Sequence, residues 1–263
     1  MHRIGAVRYL NTKPLIEGLA DNPAVQLLLE LPSQLAPLLL ANKIDAGLIP
    51  IVDFLSNPEL TLIPGISISC NGPVLSVEIF SRVPFSEIKT LDADVGSHTS
   101  IALSQILLMN RFGKIPKITP FPMTRSPSES CADAILLIGD RALTAELPDY
   151  AHSWDLGWEW QKLTGLPMVF AVWAVRPELD PVSLGALLTG AKESGLKKRS
   201  ILAHKASREL HLDGPTCRKY LEHIIRFDLG PREVQAMNEF ARLGQSLQLL
   251  PQRINTNHVK LVG

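Results

Sequence analysis

The chain is poor in the residues that build disulfide frameworks and metal centres. It has three cysteines among 263 residues, Cys70, Cys131 and Cys217, widely spaced and without a C-x-x-C pair. That argues against a disulfide scaffold or a structural zinc site. Its seven histidines show no H-E-x-x-H or comparable ligand spacing, so no bound metal is expected. Charge of either sign is in no excess, since 26 basic and 26 acidic residues cancel. Without a basic stripe, nucleic acid and anionic membrane surfaces are not expected partners. Long apolar runs are also missing. Stretches such as Val169–Val175 are far shorter than a bilayer requires. No P-loop, G-x-G-x-x-G or G-x-S-x-G is present, and no internal repeat or low-complexity tract. The first residues show neither a basic n-region nor an apolar h-region, so a secretory leader is not expected and a cytoplasmic location is.

What the chain does contain is alternation. Apolar runs at Arg3–Val7, Gln26–Leu31, Ala46–Ile49, Val77–Phe80, Ala134–Ile138 and Met168–Val175 read as strands. Helical patterns lie between them near Pro14–Leu19, Gln34–Ala41, Ile101–Phe112 and Leu156–Thr164. That order predicts an α/β fold. From about Pro181 only helices are expected, at Val182–Gly195, Ser200–Leu210, Thr216–Arg226 and Arg232–Leu247, with a break at Gly230-Pro231. Two extended segments, Ser76–Ser81 and Val169–Val175, bracket a central block, and Pro84 and Pro177 follow them. This suggests a two-lobed chain with two crossovers: residues 1–81, then 82–171, then a return over 172–263. A cleft between such lobes traps ligand by hinge closure. A single large α/β domain would give a similar pattern.

Four polar clusters sit where strands are expected to end, the place where α/β proteins build small-molecule sites. Tyr9, Asn11 and Thr12 follow the first strand, with Pro14 at the expected helix start. Ser33 reads as an N-cap for the next helix. Gly72 lies in a turn that ends on Ser76, a small hydroxyl entering a strand. The fourth cluster, Ser97, His98, Thr99 and Ser100, runs directly into an apolar-periodic helix. Free N–H groups at that helix start, with three hydroxyls, suit a carboxylate or phosphate. Ordinary capping by Ser or Thr, and a turn role for Asn11, are the plainer readings. Asp140, beside Arg141, reads as a helix N-cap or as a carboxylate at a cleft rim. Trp154, Trp158 and Trp160 recur at helical spacing and are expected to form one core-packing face. The run Lys197-Lys198-Arg199 reads as a solvated face.

The ordered blocks RIGAVRYLNTKPL, ISISCNGPVLSV, GSHTSIAL, ADAILLIGDRAL and DLGWEWQKLTGLPMVFAVW resemble those of the chorismate dehydratase family of the futalosine route to menaquinone. The similarity is dense over the first 175 residues and looser into YLEHIIRFDLGPRE. It implies a two-lobed type II periplasmic-binding-protein-like fold with a ligand cleft between the lobes. It also implies the cofactor-independent loss of water from chorismate. Carried over residue by residue, Asn11 and Ser76 become the catalytic candidates and Thr99-Ser100 the carboxylate-binding pair. Tyr9, Thr12, Ser33, Gly72, Ser97 and Asp140 complete the expected substrate contacts. His98 departs from the family pattern, where arginine is most frequent, and so does Ile51, where a small polar residue is. No histidine or glutamate stands out as a general base, which directs attention to the substrate's own enolpyruvyl carboxylate. The expected partner is a small molecule, with no nucleic acid and no membrane, and the protein is expected to be a monomer or homodimer. A non-catalytic solute-binding protein and another enzyme of the same pathway remain the competing readings.

Overall fold

A computed structural model describes residues 1–255. The strands are β1 (His2–Val7), β2 (Val25–Glu30), β3 (Ala46–Pro50), β4 (Thr61–Cys70), β5 (Val77–Ser81), β6 (Thr90–Asp94), β7 (Lys117–Phe121), β8 (Ala134–Ile138), β9 (His152–Asp155), β10 (Met168–Val175) and β11 (Ile225–Arg226). The helices are α1 (Pro32–Leu40), α2 (Ile51–Ser56), α3 (His98–Phe112), α4 (Asp140–Leu143), α5 (Leu156–Thr164), α6 (Pro181–Lys197), α7 (Arg199–Glu209), α8 (Gly214–Lys219) and α9 (Pro231–Ser246).

Two sheets result. One has the order β11-β4-β10-β3-β1-β2 and the other β7-β6-β8-β5-β9. Strand order alone shows the chain leaving the first sheet after β4 and returning with β10. β5, read from sequence with the first lobe, pairs instead with β8 and β9 in the second sheet. All of β10 pairs in the first, antiparallel to β3 and β4. The passages between the sheets therefore fall in 71–76 and 156–167.

The central strands are legible because both faces are covered. Every residue of β3 and of β8 is buried, which gives an unbroken apolar run instead of alternation. Five strands escape such reading, among them the two-residue β11. In β4, Pro64 and Gly65 are exposed and the pairing with β10 shifts register there, so the longest strand looks interrupted. In β6, Asp92 and Asp94 dilute the apolar signal. β7 and β9 are short edge strands.

Several local expectations need correction. The expected helix Pro14–Leu19 is a 3-10 turn over Leu10–Leu15. Helix α1 begins at Pro32 with Leu31 in the cap position, so Ser33 lies within its first turn and caps nothing. Proline is pre-organised for the first helical position, which moves the start forward. The expected helix Thr216–Arg226 breaks into α8, a π-helical turn over Tyr220–Ile224, and β11. The three tryptophans do not share a face. Trp154 is in β9 against Phe85 and Phe112, Trp158 is exposed beneath Lys162, and Trp160 is buried. Asp155 caps α5 by accepting the Trp158 N–H, and that cap separates strand from helix between the first two.

Candidate functional site

A cavity opens between the two sheets at the ends of β1, β3, β5 and β8. Tyr9, Asn11, Ser76, Ser97 and Ser100 supply its polar wall. Val74, Ile138 and Phe170 are among its apolar wall. Among the described residues, no lysine, arginine or histidine lines it.

Tyr9 leaves β1 and lays its ring against Gly139. A Cβ at residue 139 would lie 2.8 Å from that ring, and the backbone φ there is +58°. Only glycine meets both demands without strain. The Tyr9 hydroxyl is buried, has no partner among the described residues, and sits over Gly96. Burial raises its pKa, and the charges of Asp94 and Asp140 raise it further, so it is a neutral donor awaiting an acceptor.

Ser76 is reached through a tightly held turn. Leu75 adopts φ +62°, an unusual conformation for a branched side chain. The Asp155 carboxylate accepts the N–H groups of Val74 (2.9 Å) and Leu75 (2.7 Å), which holds that conformation. The Ser76 carbonyl then accepts the Gly139 N–H at 2.8 Å, extending the β5–β8 ladder by one step. Gly72 stands in the same turn with φ +125°, away from the cavity wall.

At the start of α3, Ser100 donates through its N–H (3.2 Å) and its hydroxyl (3.1 Å) to Ser97 Oγ. Ser97 accepts both, so its own proton is free. The N–H groups of His98 and Thr99 have no intrahelical acceptor at this position in the helix. Hydroxyls, amides and the positive end of a 15-residue helix therefore face the cavity.

Other expected contacts serve to join the lobes. Thr99 is fully buried, and its Oγ1 accepts the Val52 N–H of α2 at 3.3 Å. The Ser33 N–H donates to the Gly96 carbonyl at 3.0 Å. Asp140 is the first residue of α4, not its cap, which is Gly139. The Asp140 carboxylate accepts the Leu10 N–H at 2.9 Å, and burial raises its pKa. His98 Nδ1 lies 2.7 Å from Asp53 Oδ1 on α2. These bonds span the interlobe gap in a closed arrangement. Thr12 is fully buried and donates to Asn11 Oδ1 at 3.3 Å, within the first lobe. Of the expected residues, Tyr9, Asn11, Ser76, Ser97 and Ser100 meet on the cavity; Thr12, Ser33, Gly72, Thr99 and Asp140 stand behind or beside it.

Sequence reasoning missed Tyr220, Gly139 and Asp155. Gly139 could have been found as a glycine between a strand and a charged helix start. Tyr220 carries no local signal, because its importance lies in a contact 144 positions away. Among the described residues, no group of three His, Cys, Asp or Glu side chains could hold a metal ion, and no helix is long and apolar enough to cross a membrane. Asp94 is fully buried behind the site, where it pairs with Arg141 and accepts the Ile138 N–H. Burial outweighs both and pushes its carboxyl up to about 6.

Two sheets joined by two passages, with hydroxyls converging on the cleft, define a protein of the periplasmic-binding-protein-like fold. The alkanesulfonate-binding protein SsuA from Xanthomonas axonopodis pv. citri, solved bound to MOPS, shares that fold with a TM-score of 0.64 at 16% identity, covering 100% of this chain and 97% of that one. The chain belongs to the menaquinone biosynthesis family, whose model matches residues 2–246. It is 30% identical to the chorismate dehydratase of Thermus thermophilus, over 90% of this chain and 93% of that protein. It is 26% identical to the chorismate dehydratase of Campylobacter jejuni, over 92% of each.

Proposed function

We propose that this protein is a chorismate dehydratase, a hydro-lyase that converts chorismate to 3-[(1-carboxyvinyl)oxy]benzoate and water. The observation that carries the reading is the convergence of Asn11, Ser76, Tyr9, Ser97 and Ser100 on one cleft cavity, in a chain of the menaquinone family. Chorismate has two carboxylates. The start of α3, with Ser97 and Ser100, suits one of them, and the unpartnered Tyr9 hydroxyl adds a donor.

The chemistry breaks the C3–H and C4–O bonds and forms the C3=C4 bond that makes the ring aromatic. Asn11 and Ser76 are uncharged, so they can hold the departing hydroxyl without competing as bases. The base in this reading is the substrate's enolpyruvyl carboxylate. It takes the C3 proton, and the hydroxide leaving C4 departs with that proton as water. A cavity wall without a cation among the described residues favours this, because a carboxylate met only by neutral donors keeps more of its basicity than one paired with arginine. The protein then contributes orientation and fixed dipoles.

The test is incubation of the purified protein with chorismate, following the ultraviolet spectrum and the product mass. Appearance of the benzoate ether supports the reading. Binding of chorismate without conversion would make the protein a solute binder instead.

A further inference from the structure

Tyr220 is buried behind Ser76, and its hydroxyl donates to Ser76 Oγ at 2.7 Å. Ser76 is buried as well. A serine hydroxyl has one proton and two acceptor positions. Once its oxygen accepts from Tyr220, its own proton is left to point away from that bond, and Ser76 lines the cavity. Asn11, the other catalytic candidate, lines the same cavity as Ser76. Tyr220 thus braces one of the two catalytic candidates from the side away from the cavity.

The local backbone supports this placement. Tyr220 opens a π-helical turn between α8 and β11, and such turns are uncommon and often mark functional positions. The turn re-aims the chain so that the phenol reaches 144 residues back to Ser76, while Ile225 just beyond it lines the cavity. Burial raises the Tyr220 pKa, so the phenol stays protonated and remains a donor.

We propose that Tyr220 is a positioning residue that orients the Ser76 proton toward the bound substrate, making Ser76 a hydrogen-bond donor to it. The inference rests on the dehydratase reading and adds a residue to it. No atom of Tyr220 needs to touch the substrate.

The experiment is a cycle of Tyr220→Phe, Ser76→Ala and the double variant, with single-turnover conversion of chorismate and chorismate affinity by calorimetry. Tyr220→Phe keeps the ring and removes one hydrogen bond. It is expected to fold with an unchanged thermal midpoint and to lose about tenfold in kcat with KM moved less than threefold, the scale of one oriented hydrogen bond. In the Ser76→Ala background the same change should cost almost nothing further. An equal loss in both backgrounds would mean that Tyr220 does not act through Ser76. Wild-type turnover by Tyr220→Phe, or its failure to fold, would likewise overturn the proposal. A wild-type protein that binds chorismate without converting it overturns the dehydratase reading alone. The coupling is then read in chorismate affinity, where additive losses would overturn the Tyr220 proposal by themselves.

Discussion

His98, in the first turn of α3, meets Asp53 of α2 across the cleft, with Nδ1 2.7 Å from Oδ1. The two side chains belong to opposite lobes, so the pair exists only when the cleft is closed. The hydrogen bond to Asp53 raises the His98 pKa and outweighs its partial burial. A raised histidine pKa means that the closed state prefers the protonated ring. The contribution to closure is complete below the ordinary value of about 6.5 and is lost as pH rises through the elevated one. KM for chorismate is therefore expected to be flat at low pH and to rise in the alkaline direction. His98→Arg keeps a permanent cation at this position, so its KM should no longer follow that rise. A KM profile identical in the two proteins would detach His98 from closure.

Asn11 should matter most to the chemical step. Loss of one preorganised donor at a developing charge typically costs about a hundred- to a thousand-fold in turnover. Asn11→Ala is expected to fold normally, to bind chorismate within about tenfold of the parent, and to lose on the order of a hundred-fold in kcat. Calorimetry and steady-state kinetics on the same preparation separate the two effects. Asn11→Asp should be no better, since a carboxylate there repels a dianion.

The first turn of α3 contains hydroxyls with different duties. Ser97 and Ser100 line the cavity, whereas Thr99 bonds to α2. Replacing Ser97 and Ser100 together with alanine removes the free Ser97 donor to a charged group, worth about 1.5–3 kcal/mol, and the Ser100 hydroxyl that orients it. KM should rise at least tenfold, the low end of that range, with kcat changed less. Thr99→Ala should show a smaller rise in KM. The reverse ranking would place the carboxylate nearer Thr99.

Gly139 has no room for a side chain under the Tyr9 ring and stands at positive φ. Gly139→Ala is expected to cost about 1–3 kcal/mol of stability. It should also displace Tyr9 and weaken chorismate binding. Thermal unfolding and a binding isotherm check both. Tyr9→Ala made in the Gly139→Ala background should recover part of the stability, because it empties the space that the new methyl group invades.

The apolar runs at β1, β3, β8 and β10 were enough to define α/β character, because strands covered on both faces need continuous apolar side chains. The polar residues at strand ends were legible too. Asn11, Ser76, Ser97 and Ser100 do reach one cavity, since the close of a strand or the opening of a helix leaves side chains and amides free to face a ligand. Tertiary structure alone decided how those residues divide. Thr99 and Asp140 have the same chemistry as their neighbours, yet bond to Val52 and Leu10 of the opposite lobe. It also decided the register break in β4 at Pro64-Gly65, which hides the longest strand, and the place of Tyr220 behind Ser76. Periodicity and capping are local properties, carried by neighbours a few residues apart. A hydrogen bond closing 144 residues depends on where the whole chain has been carried, and no local pattern encodes it.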